Sequence, residues 1–174
     1  MIKIIDGKNV YLRRLEEADT DNILRWRNMP HVVERFIYRI EVTRADHEKW
    51  LSEQVGKGLV EQFIIVVKAT GQEIGSQYFS HIDKENGIAE FGIFIGEKDA
   101  IGHHYGTEVL QLSLKYAFEE MNMQEIILRV LEDNERAIRS YKNCGFEICP
   151  ELTEEMVLDG IRKRIIFMKR DKNS

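Results

Sequence analysis

Between residues 88 and 121 the repeat of apolar side chains changes abruptly, and few features restrict the choice of fold as strongly. "IAEFGIFI" (88–95) alternates with the period of two that a strand imposes. From Thr107 the spacing becomes helical: Leu110, Leu114, Ala117, Phe118 and Met121 form one stripe, with Glu108, Gln111, Lys115 and Glu119 opposite. The continuous apolar run "EIILRVL" (125–131) then reads as a buried strand. A strand, a helix of this length and a second strand predict a right-handed parallel crossover, and so an α/β sheet.

The flanking segments fill out that sheet. "VYLRRL" (10–15) predicts a first strand, and Asp19 or Thr20 caps a short helix ending near Pro30. A second helix starts at about Thr43, carries Trp50 and Leu51 on its apolar face and stops at Gly56. "QFIIVVK" (62–68), "EIGSQYFSHI" (73–82) and 88–95 follow, punctuated by Thr70-Gly71 and Asn86-Gly87, which predicts an antiparallel meander. "NERAIRSYKNC" (134–144) is an amphipathic helix closed by Gly145, and "RKRIIFMKR" (162–170) a last strand.

With 174 residues and two dispersed prolines there is no linker, and residues 1–174 read as one domain. The net charge of −5, with both signs interspersed, leaves no footprint for nucleic acid. No apolar run is long enough for a signal peptide or membrane span, so a cytoplasmic location and no membrane partner are expected. Cys144 and Cys149 lack a second pair at metal-ligand spacing and the five histidines add no ligand set, so no metal is expected.

The junction "IGEKDAIGHHYGTEVLQ" (95–111) leads from the strand into the long helix. Unpaired N–H groups and the helix dipole make such a start a seat for an anion, which places a phosphate-bearing ligand at residues 93–107. The order of elements, together with "AEFGIFIGEKDAIGHHYGTEVLQLSLKYAFEEM" and "RVLEDNERAIRSYKNCGFE", resembles the GNAT superfamily of acetyl-CoA-dependent N-acetyltransferases. The likeness runs from about Val10 to Met168 and is greatest for the branch that holds ribosomal-protein N-terminal, spermidine and amino-sugar acetyltransferases; Asn134, Ala137, Tyr141 and Gly145-Phe146 match that branch at its spacing. The resemblance implies a mostly antiparallel sheet with a central parallel strand pair flanked by helices, and acetyl-CoA as cosubstrate.

It also implies where that cosubstrate sits. The family's loop pattern Q/R-x-x-G-x-G/A falls on Ile101, Gly102, His103, His104, Tyr105 and Gly106, with Ile101 in the polar position and His104 in place of the first glycine. Gly102, His103, His104, Tyr105, Gly106 and Thr107 are the implied pyrophosphate seat, and His103 and His104 also carry donors of their own. Backbone around Ile93, Phe94 and Ile95 is the implied partner of the pantetheine arm, because the family splays this strand from the next; Gly92 and Gly96 suit an irregular strand. Asn134 is a helix cap by pattern and, with Ala137, a coenzyme contact by resemblance.

Acetyl transfer to an amine needs a base, oxyanion donors and an acid for the thiolate. Glu90 shares a strand face with Ile88, Gly92 and Phe94, where partial burial raises a carboxyl pKa toward that of a useful base; an ion-pair partner is the alternative. Tyr141 is a core aromatic by periodicity and the general acid by resemblance. The implied acceptor wall contains Trp26, Arg27, Asn28, Glu34 and Tyr38. Arg25, Arg27, Arg35, Arg39 and Arg44 suit an anionic acceptor, which puts an amino sugar or sugar nucleotide slightly ahead of a polyamine, with a protein N-terminus or a non-catalytic acyl-CoA-binding domain as alternatives. A self-complementary homodimer is the default assembly.

Overall fold

The computed structural model describes residues 3–174. Strands β1 (Ile4–Asp6), β2 (Val10–Arg14), β3 (Glu61–Val67), β4 (Glu73–Asp83) and β5 (Ile88–Ile95) lie side by side in chain order, each antiparallel to the next. β6 (Glu125–Leu131) runs parallel to β5. β9 (Ile161–Asp171) returns antiparallel to β6 and carries β7 (Glu147–Ile148) and β8 (Glu154–Leu158) on its other edge. The expected mixed sheet with one central parallel pair is therefore present.

Helices cover both faces, which is why β3 reads as an unbroken apolar run. Phe63 and Ile65 point into the larger core, under Val109, Leu110, Leu114 and Ala117 of α4 (Tyr105–Glu119). Ile64 and Val66 point the other way, toward Ile23 and Trp26 of α1 (Thr20–Arg27) and Val32 of α2 (Pro30–Val33). The first helix ends at Arg27, shortly before Pro30 as expected, and Pro30 opens α2 at the position where its missing N–H costs nothing. α3 (Arg44–Trp50) begins at a reciprocal cap between Thr43 and Asp46 and runs on into a wider turn, Leu51–Val55. α5 (Glu135–Asn143) ends at Gly145, whose φ of 89° only glycine adopts without strain.

One feature of the sheet positions everything that follows. β5 keeps its β4 partners as far as Ile95, but it pairs with β6 only at Ile88, Ala89 and Glu90. Beyond Glu90 the two parallel strands part, and the main chain of residues 91–95 has no strand on that side. The Gly96 N–H donates to Ile74 O, so by alternation Ile93 and Ile95 turn their N–H groups into the gap, whereas Phe94 turns toward β4.

Candidate active site

The gap opens into a cleft of about 1140 Å³, lined by α2 and the loop after it, the ends of β4 and β5, the first turn of α4, Arg129 of β6 and one face of α5. At one end lies the start of α4. Gly102 has a φ of 92°, and His104, the residue before the helix, holds a left-handed φ of 63°. The histidine thus takes a backbone conformation that favours glycine, and the N–H groups of Tyr105, Gly106 and Thr107 are left without partners inside the helix, as an anion seat requires. A side chain at Gly106 would meet nothing within 4 Å, so the approach to those groups is open. Relief of the left-handed strain predicts that His104→Gly stabilises the fold by about 0.5–1 kcal/mol. This reads as a rise of about 1–4 °C in melting temperature; an unchanged or lower value would mean that the imidazole makes compensating contacts.

His103 does not face the cleft. Its Nε2 lies 3.0 Å from Asp99 O and its ring stacks on Tyr105 with centroids 5.4 Å apart. Thr107 Oγ1 lies 3.2 Å from Ser140 Oγ, which ties the first turn of α4 to α5. Asn134 caps α5 by accepting from Ala137 N at 3.4 Å, and both residues line the cleft. The same helix face brings in Arg136 and Arg139, cations that their position beside a phosphate seat makes relevant and that helical periodicity alone leaves as solvent-facing.

Tyr141 also lines the cleft. Its ring packs edge-on against Phe91, with centroids 6.3 Å apart, and at a tilt against Phe146. Burial, and secondarily the neighbouring Tyr78, push its phenol well above the ordinary value, so it keeps its proton throughout the neutral range. Tyr78 comes from β4, and its ring occupies the space over Gly92, where an added Cβ would sit 2.3 Å from it. Gly96 has the same reason: a Cβ there would fall 2.1 Å from the Trp26 ring. These two glycines make room for aromatic rings on the stretch where β5 parts from β6.

Glu90 is buried, 8 % exposed, and it is the ion-pair partner that its strand position left open as the alternative. Arg129 Nε donates to its Oε1 at 2.7 Å and Arg129 Nη2 to Oε2 at 3.3 Å, while His81 Nδ1 lies 3.0 Å from Oε2 and Ser80 Oγ donates to it at 3.4 Å. Arg129 and His81 come from β6 and β4, so only the sheet register unites them with Glu90. A lone arginine in "EIILRVL" is the one sequence signal of this pairing.

The expected acceptor wall divides. Arg27, Glu34 and Tyr38 line the cleft; Arg27 stacks on Phe36 at 4.1 Å, and burial lowers the pKa of its guanidinium. Trp26 does not line it. It is fully buried against Phe94 and donates its indole N–H to Glu97 at 2.8 Å. Asn28 is turned away as well and pins the loop by pairing with Val42 N and O at 2.9 Å. Phe94, expected to offer its amide to the coenzyme, spends it on β4 and packs its ring in the core under α1.

The sequence pattern of the family described as "Acetyltransferase (GNAT) domain" matches residues 9–147. The chain belongs to this family. It is an N-acetyltransferase with acetyl-CoA as cosubstrate, and the free start of α4, the parted strands and the protonated Tyr141 fit that chemistry. It is 28% identical over 139 residues to the uncharacterized N-acetyltransferase p20 of Bacillus licheniformis, covering 78% of each chain. To the spermidine N(1)-acetyltransferase of Escherichia coli K12 it is 27% identical over 164 residues, 92% of this chain and 84% of that one. The crystal structure of spermidine N-acetyltransferase from Vibrio cholerae in complex with CoA and spermine superposes with a TM-score of 0.86 at 22% identity, covering 95% and 96% of the two chains. Among the described residues no helix is long and apolar enough to cross a membrane, and no group of acidic, histidine and cysteine side chains is placed to hold a metal ion.

Proposed function

We propose that this acetyltransferase acts on the primary amine of a small molecule, with a polyamine ahead of an amino sugar, in a ternary complex with acetyl-CoA. The observation that carries the reading is one continuous cleft joining the free start of α4, the unpaired edge of β5 and Tyr141. Backbone N–H groups of residues 105–107 would receive the pyrophosphate, with Arg136 and Arg139 alongside. Ile93 and Ile95 would pair with the amides of the pantetheine arm as a missing strand would, and Asn134 and Ala137 would border it. The coenzyme supplies the activated acetyl thioester; Tyr141 supplies the proton that the departing sulfur needs.

Most of the arginines expected to suit an anionic acceptor are already paired. Arg25 pairs with Glu97, Arg44 with Asp21 and Arg39 with Asp159, so only Arg27 and Arg35 of the five face the cleft without an acidic partner among the described residues. Glu34 borders the same cleft and suits a cationic chain, and the Escherichia coli relative is a spermidine acetyltransferase. Calorimetry with acetyl-CoA is expected to show micromolar binding, about −8 kcal/mol. A panel of spermidine, spermine, amino-sugar nucleotides and free-N-terminus peptides, followed by thiol release, should then give its highest kcat/KM with a polyamine. Acetylation confined to peptides or to sugars would overturn the polyamine assignment, and absence of acetyl-CoA binding would overturn the whole reading.

A further inference from the structure

We propose that His81 is the group that takes the proton of the acceptor ammonium and that Glu90 is its positioning residue; this deepens the acetyltransferase reading above and rests on it. The backbone supplies the first argument. Pairing between β4 and β5 is regular up to Ser80–Glu90 and shifts before Asp83–Ile88, and within that irregularity His81 holds a left-handed φ of 49°. A non-glycine residue is strained in that conformation. In a regular strand, successive side chains point to opposite faces. Here His81 instead lies beside its neighbour Ser80, with Nδ1 3.3 Å from the Ser80 hydroxyl and 3.0 Å from Glu90 Oε2.

The second argument is which lone pair is free. Glu90 accepts from Arg129 at Oε1 and from Arg129, Ser80 and His81 at Oε2, and its side chain is only 10% exposed, so it is the less accessible of the two groups to an incoming ammonium. The His81 side chain is 73% exposed and borders the same cleft as Tyr141. With its Nδ1 proton donated to Glu90, the neutral ring presents the Nε2 lone pair outward. Arg129 then holds Glu90 as Glu90 holds the ring, and Tyr38 stands beside Arg129. Three strands contribute one residue each to an orienting series that ends on an imidazole.

The proton count closes. Nε2 takes one proton from R–NH3+ and passes it to solvent; the freed nitrogen lone pair forms the C–N bond as the C–S bond breaks. Tyr141 protonates the sulfur and recovers a proton from the nitrogen, leaving amide, thiol and one proton released. The groups that shape the pH dependence of this step are Glu90 on β5, Arg129 on β6, Ser80 and Tyr78 on β4, and Tyr38 on the loop after α2.

His81→Gly is the decisive variant, because glycine suits the left-handed backbone and leaves a space the size of the ring. With spermidine or whichever amine the wild type acetylates, kcat is expected to fall about a hundredfold or more, with acetyl-CoA affinity unchanged within about twofold. Added imidazole should restore a concentration-dependent part of the rate, and the acidic limb of kcat/KM should disappear from the variant. A His81→Gly rate within threefold of wild type with an unaltered pH profile, alongside a large loss in Glu90→Gln, would overturn the proposal and return the base to Glu90. Imidazole nitrogen NMR on the acceptor-free protein is independent of substrate. A proton on Nδ1 that Glu90→Gln relocates supports the proposal and a ring protonated on Nε2 overturns it, even should no amine in the panel be acetylated.

Discussion

Replacing Tyr141 with phenylalanine is expected to lower kcat by about two to four orders of magnitude while leaving acetyl-CoA binding and melting temperature close to wild type. The packing of the ring against Phe91 and Phe146 survives the substitution. What disappears is a hydroxyl that burial keeps protonated. The sign of that shift also fixes the pH behaviour. A phenol raised above its ordinary value of 10 stays an acid through the neutral range, so no alkaline loss of activity below pH 10 should trace to Tyr141. Full turnover in Tyr141→Phe would remove the residue from the chemistry and leave it a core aromatic.

The second large effect concerns stability. Trp26→Ala is expected to cost about 3–5 kcal/mol in denaturant unfolding, the usual range for truncating a fully buried tryptophan. Against the 5–15 kcal/mol of a typical domain that is a large fraction. Three contacts fail together: the ring leaves Phe94, the shelf over Gly96 empties, and Glu97 retains only Arg25. Had Trp26 been part of the acceptor wall, the substitution would instead raise KM for the amine with little change in unfolding. That second outcome would overturn its placement in the core.

Trp26 also marks the limit of what the chain discloses before it is folded. Helix periodicity puts it on an apolar stripe, and such a stripe faces a core or a ligand with equal ease; what settles the matter is Gly96, 70 positions along in β5's extension. β3, α4 and α5 are legible because one period governs each over two or more turns, or over a whole strand. β8 is hidden because "EEMVL" exposes charged residues, although Asp159-Gly160 after it is a hairpin signal, and both residues adopt positive φ. The proposed anion seat is legible because it is local: a glycine-bearing loop and a helix start, contiguous in sequence. The Glu90 cluster is not, since His81, Glu90 and Arg129 meet only through the register of three strands.

The parting of β5 from β6 has a consequence for how the molecule holds together. Three residue pairs are a narrow spine between two leaves, five strands on one side and four on the other. Glu90 and Arg129 clasp that spine at its last rung, and beyond it the leaves share no main-chain bond among the described residues. On the proposed reading a cosubstrate lying in the gap would supply the missing rungs, so that binding it would stiffen the seam as well as load the enzyme. Amide exchange at Ile93 and Ile95 should therefore slow on addition of acetyl-CoA; equal rates would place the arm elsewhere. On that reading the cosubstrate of the reaction would double as the final strand of the sheet.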